Sequence, residues 1–408
     1  MFRGWCAFMY ARQRFDGGLG CAMDDGEAGL MTRIFLDYQS TTPVDPRVVS
    51  AMLPYFTEQF GNPHSVEHSF GVDALRAIDS ALSQIADVIG ATAGDIVITS
   101  GATEANNLAL RGTLPVGKKS HLISVVTEHQ SVLGTLAALR QEGHASTLVP
   151  VDGEGLVDAA AVEAAIRPAT RIVSVMAVNS EIGVVQPYAE LGQLCRSHNV
   201  LFHVDAAQGF GRVPLDMKRD CIDLLSISAH KIYGPKGVGA LYVGPEARPR
   251  MRAQITGGGQ QDGLRAGTLP TPLVVGFGEA ARLMKEESAA EAARLAELRT
   301  RLWSRLVDQV GGVHLNGSAD QRWIGNLNLR FDDVDADSLV LMLPHLAIST
   351  GSACTAGTPE PSKVLTALGL SLEHASQSVR MGLGRMTTPE QVDRAVVQLA
   401  EAVGRLRG

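Results

Sequence analysis

The sequence predicts an α/β chain: a large, mainly parallel sheet with helices on both faces, followed by a smaller α+β domain. Three observations carry this. Apolar runs such as Val200–Val204 and Leu224–Ile227 have strand length and end in polar residues, as buried strands of open α/β sheets do where they meet a ligand. Such runs alternate with helical segments over 131–142, 158–167 and 188–198, the order that builds a parallel sheet. Beyond Pro272 the pattern changes to one long helix rich in Ala, Glu, Arg and Leu, from Leu273 to about Val310. At 408 residues the chain exceeds a single core of about 250–300 residues. Two domains are therefore expected, over 46–270 and 271–408.

Taken in order, residues 1–30 combine Arg3, Arg12 and Arg14 with the acidic Asp24-Asp25-Gly26-Glu27. Their apolar part is too short for a secretory signal, and the acidic cluster contradicts a transit peptide. They read as a disordered tail or an overextended start, with Met31 as the alternative initiator. Residues 31–45 are expected to pack near the small domain. Pro46 opens a helix, and apolar spacing predicts another over Ala74–Ile89. A strand over Asp95–Thr99 turns through Ser100-Gly101-Ala102-Thr103 into a helix near Glu104. Such a turn is either an ordinary N-cap or an anion site made of free N–H groups. The strand Leu122–Val126 leads to His129, and Arg171–Val178 leads to Asn179. In the C-terminal part, strands are expected near Gly325–Phe331 and Ala347–Ser349. Helices are expected over Ala336–Leu343, from near Pro361, and over Pro389–Leu406.

Composition excludes several classes. A net charge of −7 gives no reason to expect nucleic-acid binding as the main role. The five cysteines, Cys6, Cys21, Cys195, Cys221 and Cys354, are odd in number and show no zinc spacing. They argue against a disulfide framework and for a reducing, cytoplasmic compartment, and no metal site is expected. No apolar run reaches the ~18 residues that a membrane helix needs.

The chemistry concentrates in 200–239. Asp205 and Gln208 follow one strand; Ser228, His230 and Lys231 follow the next; Gly234-Pro235-Lys236-Gly237-Val238-Gly239 follows these. A desolvated lysine amine forms a Schiff base with an aldehyde. A carboxylate such as Asp205 keeps a pyridine nitrogen protonated, and Ser228 and His230 can bind a phosphate. The set suits pyridoxal 5'-phosphate (PLP). Alone, it equally fits an Asp–Lys ion pair or a solvated turn.

The flanking motifs remove that balance. L-D-Y-Q-S-T-T-P (36–43), G-N-P-H-S (61–65), T-S-G-A-T-E-A-N-N (99–107) and T-E-H-Q-S-V (127–132) are followed by N-S-E-I-G-V-V-Q-P (179–187) and H-V-D-A-A-Q-G (203–209). S-A-H-K-I-Y-G-P-K-G (228–237), R-A-G-T (265–268), Thr350-Gly351-Ser352-Ala353-Cys354 and R-M-G-L-G-R (380–385) complete the series. Together they resemble the cysteine desulfurases, of the class V aminotransferase group, over roughly 32–400. The resemblance implies the PLP-dependent transferase fold type I and assigns roles. Ala102, Thr103, Ser228 and His230 would hold the PLP phosphate, and His129 would stack on the ring and move protons. Asp205 would meet the ring nitrogen; Asn179 and Gln208 would meet the phenolic oxygen. Lys231 would be the Schiff-base lysine and base, while Asn179 and Arg380 would hold the substrate carboxylate. Thr268 would reach the neighbour's phosphate in a homodimer.

Two departures from relatives are visible: Gln260-Gln261 in place of a His-Glu or Gln-Glu pair, and Gly382 in place of a serine. Cys354, in a loop of small residues, would take sulfur from L-cysteine as a persulfide, release alanine, and pass the sulfur to an acceptor protein such as an iron–sulfur scaffold. The loop resembles the long-loop subgroup. Cys195 and Cys221 read as packing residues, and Arg385 as an ion-pair residue. A selenocysteine lyase, another lyase or aminotransferase of this fold, and a non-catalytic sulfur-delivery scaffold are the competing readings.

Overall fold

Three sheets, of seven, four and two strands, organise the described chain, and a 40-residue helix joins the two larger ones. The structure is a computed structural model and describes residues 33–350 and 362–408. The expected N-terminal tail and Cys354 lie outside these. In chain order the elements are β1 (Ile34–Phe35), α1 (Pro46–Met52), α2 (Pro54–Thr57), α3 (Ser69–Asp87), β2 (Ile96–Thr99), α4 (Ala102–Gly112), β3 (His121–Val125), α5 (Gln130–Gln141) and β4 (Ala145–Val149). They continue as α6 (Ala159–Ala165), β5 (Thr170–Met176), α7 (Tyr188–Ser197), β6 (Leu201–Asp205), β7 (Leu224–Ser228), β8 (Gly239–Val243) and α8 (Thr271–Val310). The last are β9 (Val313–Leu315), β10 (Asn326–Phe331), α9 (Ala336–Met342), β11 (Leu346–Ala347), β12 (Ser349–Thr350), α10 (Lys363–Ala367), α11 (Leu372–Ser376), β13 (Ser378–Gly382) and α12 (Pro389–Arg407).

The large sheet has the order β2-β8-β7-β6-β5-β3-β4. All its strands run parallel except β8, which is antiparallel to both neighbours. Successive strand residues face opposite layers. Val97, Leu122, Ile172, Leu201, Leu224 and Leu241 pack with α4 and α5, whereas Ile98, Ile123, Val173, Phe202, Leu225 and Ala240 belong to the other layer, with α3, α7 and α8. Both faces are thus dry, which is why the strands read as continuous apolar runs. The smaller sheet is antiparallel, β12-β13-β10-β9. The N-terminal β1 pairs with β11, and Asp37 bridges to Gly382, so the start of the described chain is bound to its end.

Five strands, β1, β4, β8, β9 and β13, are not legible in the sequence. β4 is a partly exposed edge strand, A-S-T-L-V, without alternation. β8 continues a glycine loop; Gly239 pairs with Thr99 and Ser228, and it is glycine because a side chain there would meet the Ile227 carbonyl oxygen at 2.4 Å and Gly101 at 2.7 Å. Because β7 and β8 are antiparallel neighbours, the segment carrying Lys231 crosses only one strand edge.

Candidate active site

The site forms at the carboxyl ends of β3, β5, β6 and β7. Lys231 follows β7 in a short 3-10 turn. Its amine donates to the carbonyls of Gln39 and Ser40, the latter at 2.6 Å. Burial, then the Arg212 and Arg380 guanidiniums, lowers its pKa to about 7. The turn at 37–40 therefore roofs the lysine, and its acceptors take the amine neutral or charged.

Asp205 ends β6. One carboxylate oxygen accepts from Ala207 N–H at 2.9 Å and the other from the Asn106 amide at 2.7 Å. Glu128 lies close enough that Asp205, after burial, pushes its carboxyl well above the ordinary range. Protonated, it leaves Asp205 as the single anion there.

Ahead of these groups α4 begins at Ala102, two residues earlier than the Glu104 start expected, because Gly101 takes φ 149, ψ 178. Ala102 and Thr103 are thus in its first turn, where N–H groups lack intrahelical partners. Thr103 is exposed. The buried Ser228 hydroxyl has no hydrogen-bond partner among the described residues. His230 binds Thr41 through Nδ1 at 3.0 Å, and burial lowers it to about 4, so it is neutral at pH 7. A helix N-terminus, two hydroxyls and a neutral imidazole make an anion cradle.

His129 caps α5, its Nδ1 accepting from Ser131 N–H at 3.1 Å. Asn179 is more committed than the sequence implied. Its carbonyl caps Glu181 and Ile182 N–H, and its amide donates to the Thr127 carbonyl, leaving one N–H for a ligand. Gln208 spans the Gln39 carbonyl and Arg212. Arg380 binds Asp37 at 2.7 Å and the Ser180 carbonyl at 3.1 Å. A substrate carboxylate at Arg380 must therefore compete with Asp37. Arg385 instead pairs with Asp45 and Glu291 beneath Tyr233.

Several working residues escaped the sequence reading: Asp37, Gln39, Asn106, Glu128, Glu181 and Arg212. Arg212 is half-buried over the Trp323 ring, 4.2 Å from its centroid, and binds Gln208 and the Lys231 carbonyl. All but Arg212 lie inside the motifs quoted above, which gave them a place but no role. Gln261 also acquires a role. Its amide pairs with both Ile98 N–H and C=O, closing the exposed edge of β2 as a strand would. Gln260 accepts from Gly267 N–H, which fixes the loop before Thr268. Gly382 is explained by packing: a side chain there would meet Gln39 Oε1 at 1.7 Å. Cys195 is fully buried, with its thiol pushed up to about 12, whereas Cys221 is half-buried at φ 52, a turn position rather than a packing one.

Orphaned buried polar atoms crowd this region: Gln39 Oε1, Asn106 Oδ1, Thr127 Oγ1, Glu128 Oε2, Glu181 Oε1 and Arg380 Nε. Burial without partners is costly, so their concentration marks a place shaped for a polar guest. A depressed lysine, an anion cradle and a paired carboxylate are the donor set PLP requires. Among the described residues, no cluster of three or more His, Cys, Asp or Glu side chains could hold a metal. No helix there is long and apolar enough to cross a membrane.

The chain belongs to the class-V aminotransferase family, whose family model matches residues 34–395. Within it, the chain is 49% identical over 376 residues to the cysteine desulfurase IscS of Rickettsia typhi (strain ATCC VR-144 / Wilmington), covering 92% of each. A solved NifS-like protein superposes with a TM-score of 0.85 at 32% identity, covering 92% of this chain and all of that one. A structure described as SspA in complex with cysteine gives 0.78 at 37%, covering 87% and 100%.

Proposed function

We propose that the chain is a PLP-dependent cysteine desulfurase that converts L-cysteine to L-alanine and retains the sulfur as a persulfide on Cys354. The observation that carries this is Lys231: a half-buried amine brought to about 7 by desolvation, on the same sheet edge as Asp205 and the first turn of α4. Two of the relatives, IscS, a cysteine desulfurase, and SspA, solved in complex with cysteine, point the same way.

PLP, when bound, supplies an aldehyde carbon for amines and a ring that accepts the electrons released at the substrate Cα. Ala102, Thr103, Ser228 and His230 would hold its phosphate; Asp205 would serve the ring nitrogen, His129 the ring face, and Asn179 and Gln208 the phenolic oxygen. Arg380 exchanges Asp37 for the substrate carboxylate and so orients the amino acid. Lys231, neutral near pH 7, takes the Cα proton and returns one to carbon. The Cys354 thiolate attacks the substrate sulfur; the new S–S bond forms as the Cβ–S bond breaks, and carbon keeps the electron pair and gains a proton as alanine. The flanks of this segment, β12 and the start of α10, support the role. Ser349 pairs with Arg380, and Ser362 binds Glu181, so both flanks of the segment carrying Cys354 adjoin the carboxylate site.

The direct test is to supply L-cysteine, quantify alanine, and look for a mass gain of one sulfur on the peptide containing Cys354. Comparison with selenocysteine separates the lyase reading, and failure to bind PLP would revive the scaffold. The lysine adds a pH test. Only the neutral amine reacts with an aldehyde, so the rate of PLP uptake by apo-protein should rise with pH and level off just above 7. A rise that continues toward the ordinary lysine value near 10 would contradict the depressed amine.

A homodimer with shared sites completes the reading. Thr268 is exposed, and its hydroxyl has no partner among the described residues. Leu53, Phe56, Phe60, Val66 and Phe70 are all more than half exposed, the apolar surface expected of an interface core. Thr268→Ala should weaken PLP binding about tenfold, the loss of one hydrogen bond to a charged group. Phe60→Asp should shift sedimentation to monomer and release PLP. A monomer that holds PLP with unchanged affinity would end the shared-site model. The unpatterned cysteines support a cytoplasmic setting, and the sulfur would leave on a thiol of an acceptor protein, with an iron–sulfur scaffold as one such carrier.

A further inference from the structure

Asn106 is fully buried on α4 and makes two hydrogen bonds with one nitrogen. One N–H goes to Asp205 Oδ2 at 2.7 Å and the other to Ser131 Oγ at 2.8 Å. Ser131 Oγ, having accepted from Asn106, has its own hydrogen free for His129 Nδ1, 2.8 Å away. The Ser131 backbone N–H reaches the same nitrogen. Nδ1 is therefore an acceptor, and the neutral ring carries its proton on Nε2. The chain Asp205–Asn106–Ser131–His129 joins a strand end to a helix cap that is remote from it in sequence. Every link is buried or half-buried except the imidazole, which is exposed.

We propose that Asn106 is a positioning residue: one buried amide orients the carboxylate that meets the ring nitrogen and, through Ser131, the tautomer and tilt of the imidazole that covers the ring. This rests on the roles given above to Asp205 and His129. An amide suits the place because its two hydrogens serve two acceptors at once, and because it adds no charge beside Asp205. A carboxylate there would present a second anion at hydrogen-bond distance and could donate to neither. The same helix presents its first turn to the phosphate, so α4 would fix the phosphate, nitrogen and ring-face contacts as one rigid unit.

The proposal makes an ordering that packing alone would reverse. Asn106→Asp keeps the volume and Asn106→Ala removes it. If Asn106 acts only by filling space, the alanine variant suffers more. If it acts by donating, the aspartate variant does: PLP affinity of the apo-protein, measured by equilibrium dialysis at pH 8, should fall about tenfold in Asn106→Ala and about 100-fold in Asn106→Asp. Ser131→Ala cuts only the imidazole arm and should leave PLP affinity within about threefold of wild type. In apo-protein labelled with 15N-histidine, the His129 ring signals should move in both Asn106→Ala and Ser131→Ala. Thermal melts establish that each variant is folded, and Ser131→Ala, the mildest change, carries the imidazole test if Asn106→Asp does not fold. His129 signals that stay at their wild-type positions, or an aspartate variant that binds PLP as well as the alanine variant, overturn the proposal. Asp205→Asn is the control on the underlying reading. If it leaves PLP affinity unchanged, the placement of the ring nitrogen has failed; if it weakens PLP while Asn106→Asp does not, the role of Asn106 alone has failed.

Discussion

Lys231→Ala is expected to abolish turnover, by at least about 10⁴-fold, since one side chain supplies both the covalent link and the base. The phosphate cradle and Asp205 are untouched, so PLP should still enter the site but remain a free aldehyde that dialysis removes. A second consequence concerns stability. A lysine whose folded value, about 7, lies below its unfolded value near 10.4 binds fewer protons folded than unfolded across that window. Its burial therefore costs stability fully below about 7, progressively less as pH rises, and nothing above the unfolded value. Melting temperatures of apo wild type and apo Lys231→Ala should accordingly converge on this account between pH 7 and 10, with the variant gaining relative to wild type toward pH 7. Turnover within tenfold of wild type would remove Lys231 from the chemistry. A pH-independent gap between the two melting curves would contradict its depressed amine.

Cys354→Ala separates cofactor chemistry from sulfur transfer. None of Asp205, Thr103, His129 or Lys231 is altered, so the variant should bind PLP with wild-type affinity and should still change its spectrum when L-cysteine is added. Alanine release should fall by at least about 100-fold, because the substrate sulfur meets no nucleophile. Cys195→Ala is the informative control. That thiol is sealed in the layer beneath β6, with no thiolate near neutral pH, and the thiolate is the reactive form. Its loss should cost about 1 kcal/mol of packing and leave turnover intact. Cys221→Ala should also leave turnover intact, with little change in stability, because alanine keeps the Cβ that already sits at φ 52. Alanine made at the wild-type rate by Cys354→Ala would transfer the reading to a lyase.

Much of the site was legible because its chemistry sits at the ends of locally determined elements. Val200–Val204 is apolar on both faces because both faces are covered, and such a strand can end in Asp205 only at an edge. Gly239 announces close approach, and Ser100-Gly101-Ala102-Thr103 announces a helix start; these signals act over a few residues and survive in the sequence alone. The order of motifs then carried the family. β8 and β13 escaped because glycine-rich or short runs lack alternation, and their strand character comes from neighbours that pair with them.

What tertiary structure alone decided is how the groups are tuned. Lys231 finds its acceptors 192 and 191 residues away, at Gln39 and Ser40, and Arg380 meets Asp37 across 343 residues. Asp205 is held by Asn106, 99 residues earlier. Sequence pattern reports which face a residue occupies, because periodicity is local. It does not report which charge stands across the cleft, because that depends on which distant segments pack together. The residue types that can do the chemistry were written in the chain; the lysine's value near 7, set by burial and by Arg212 and Arg380, exists only once the sheets, α8 and the N-terminal turn have closed around it.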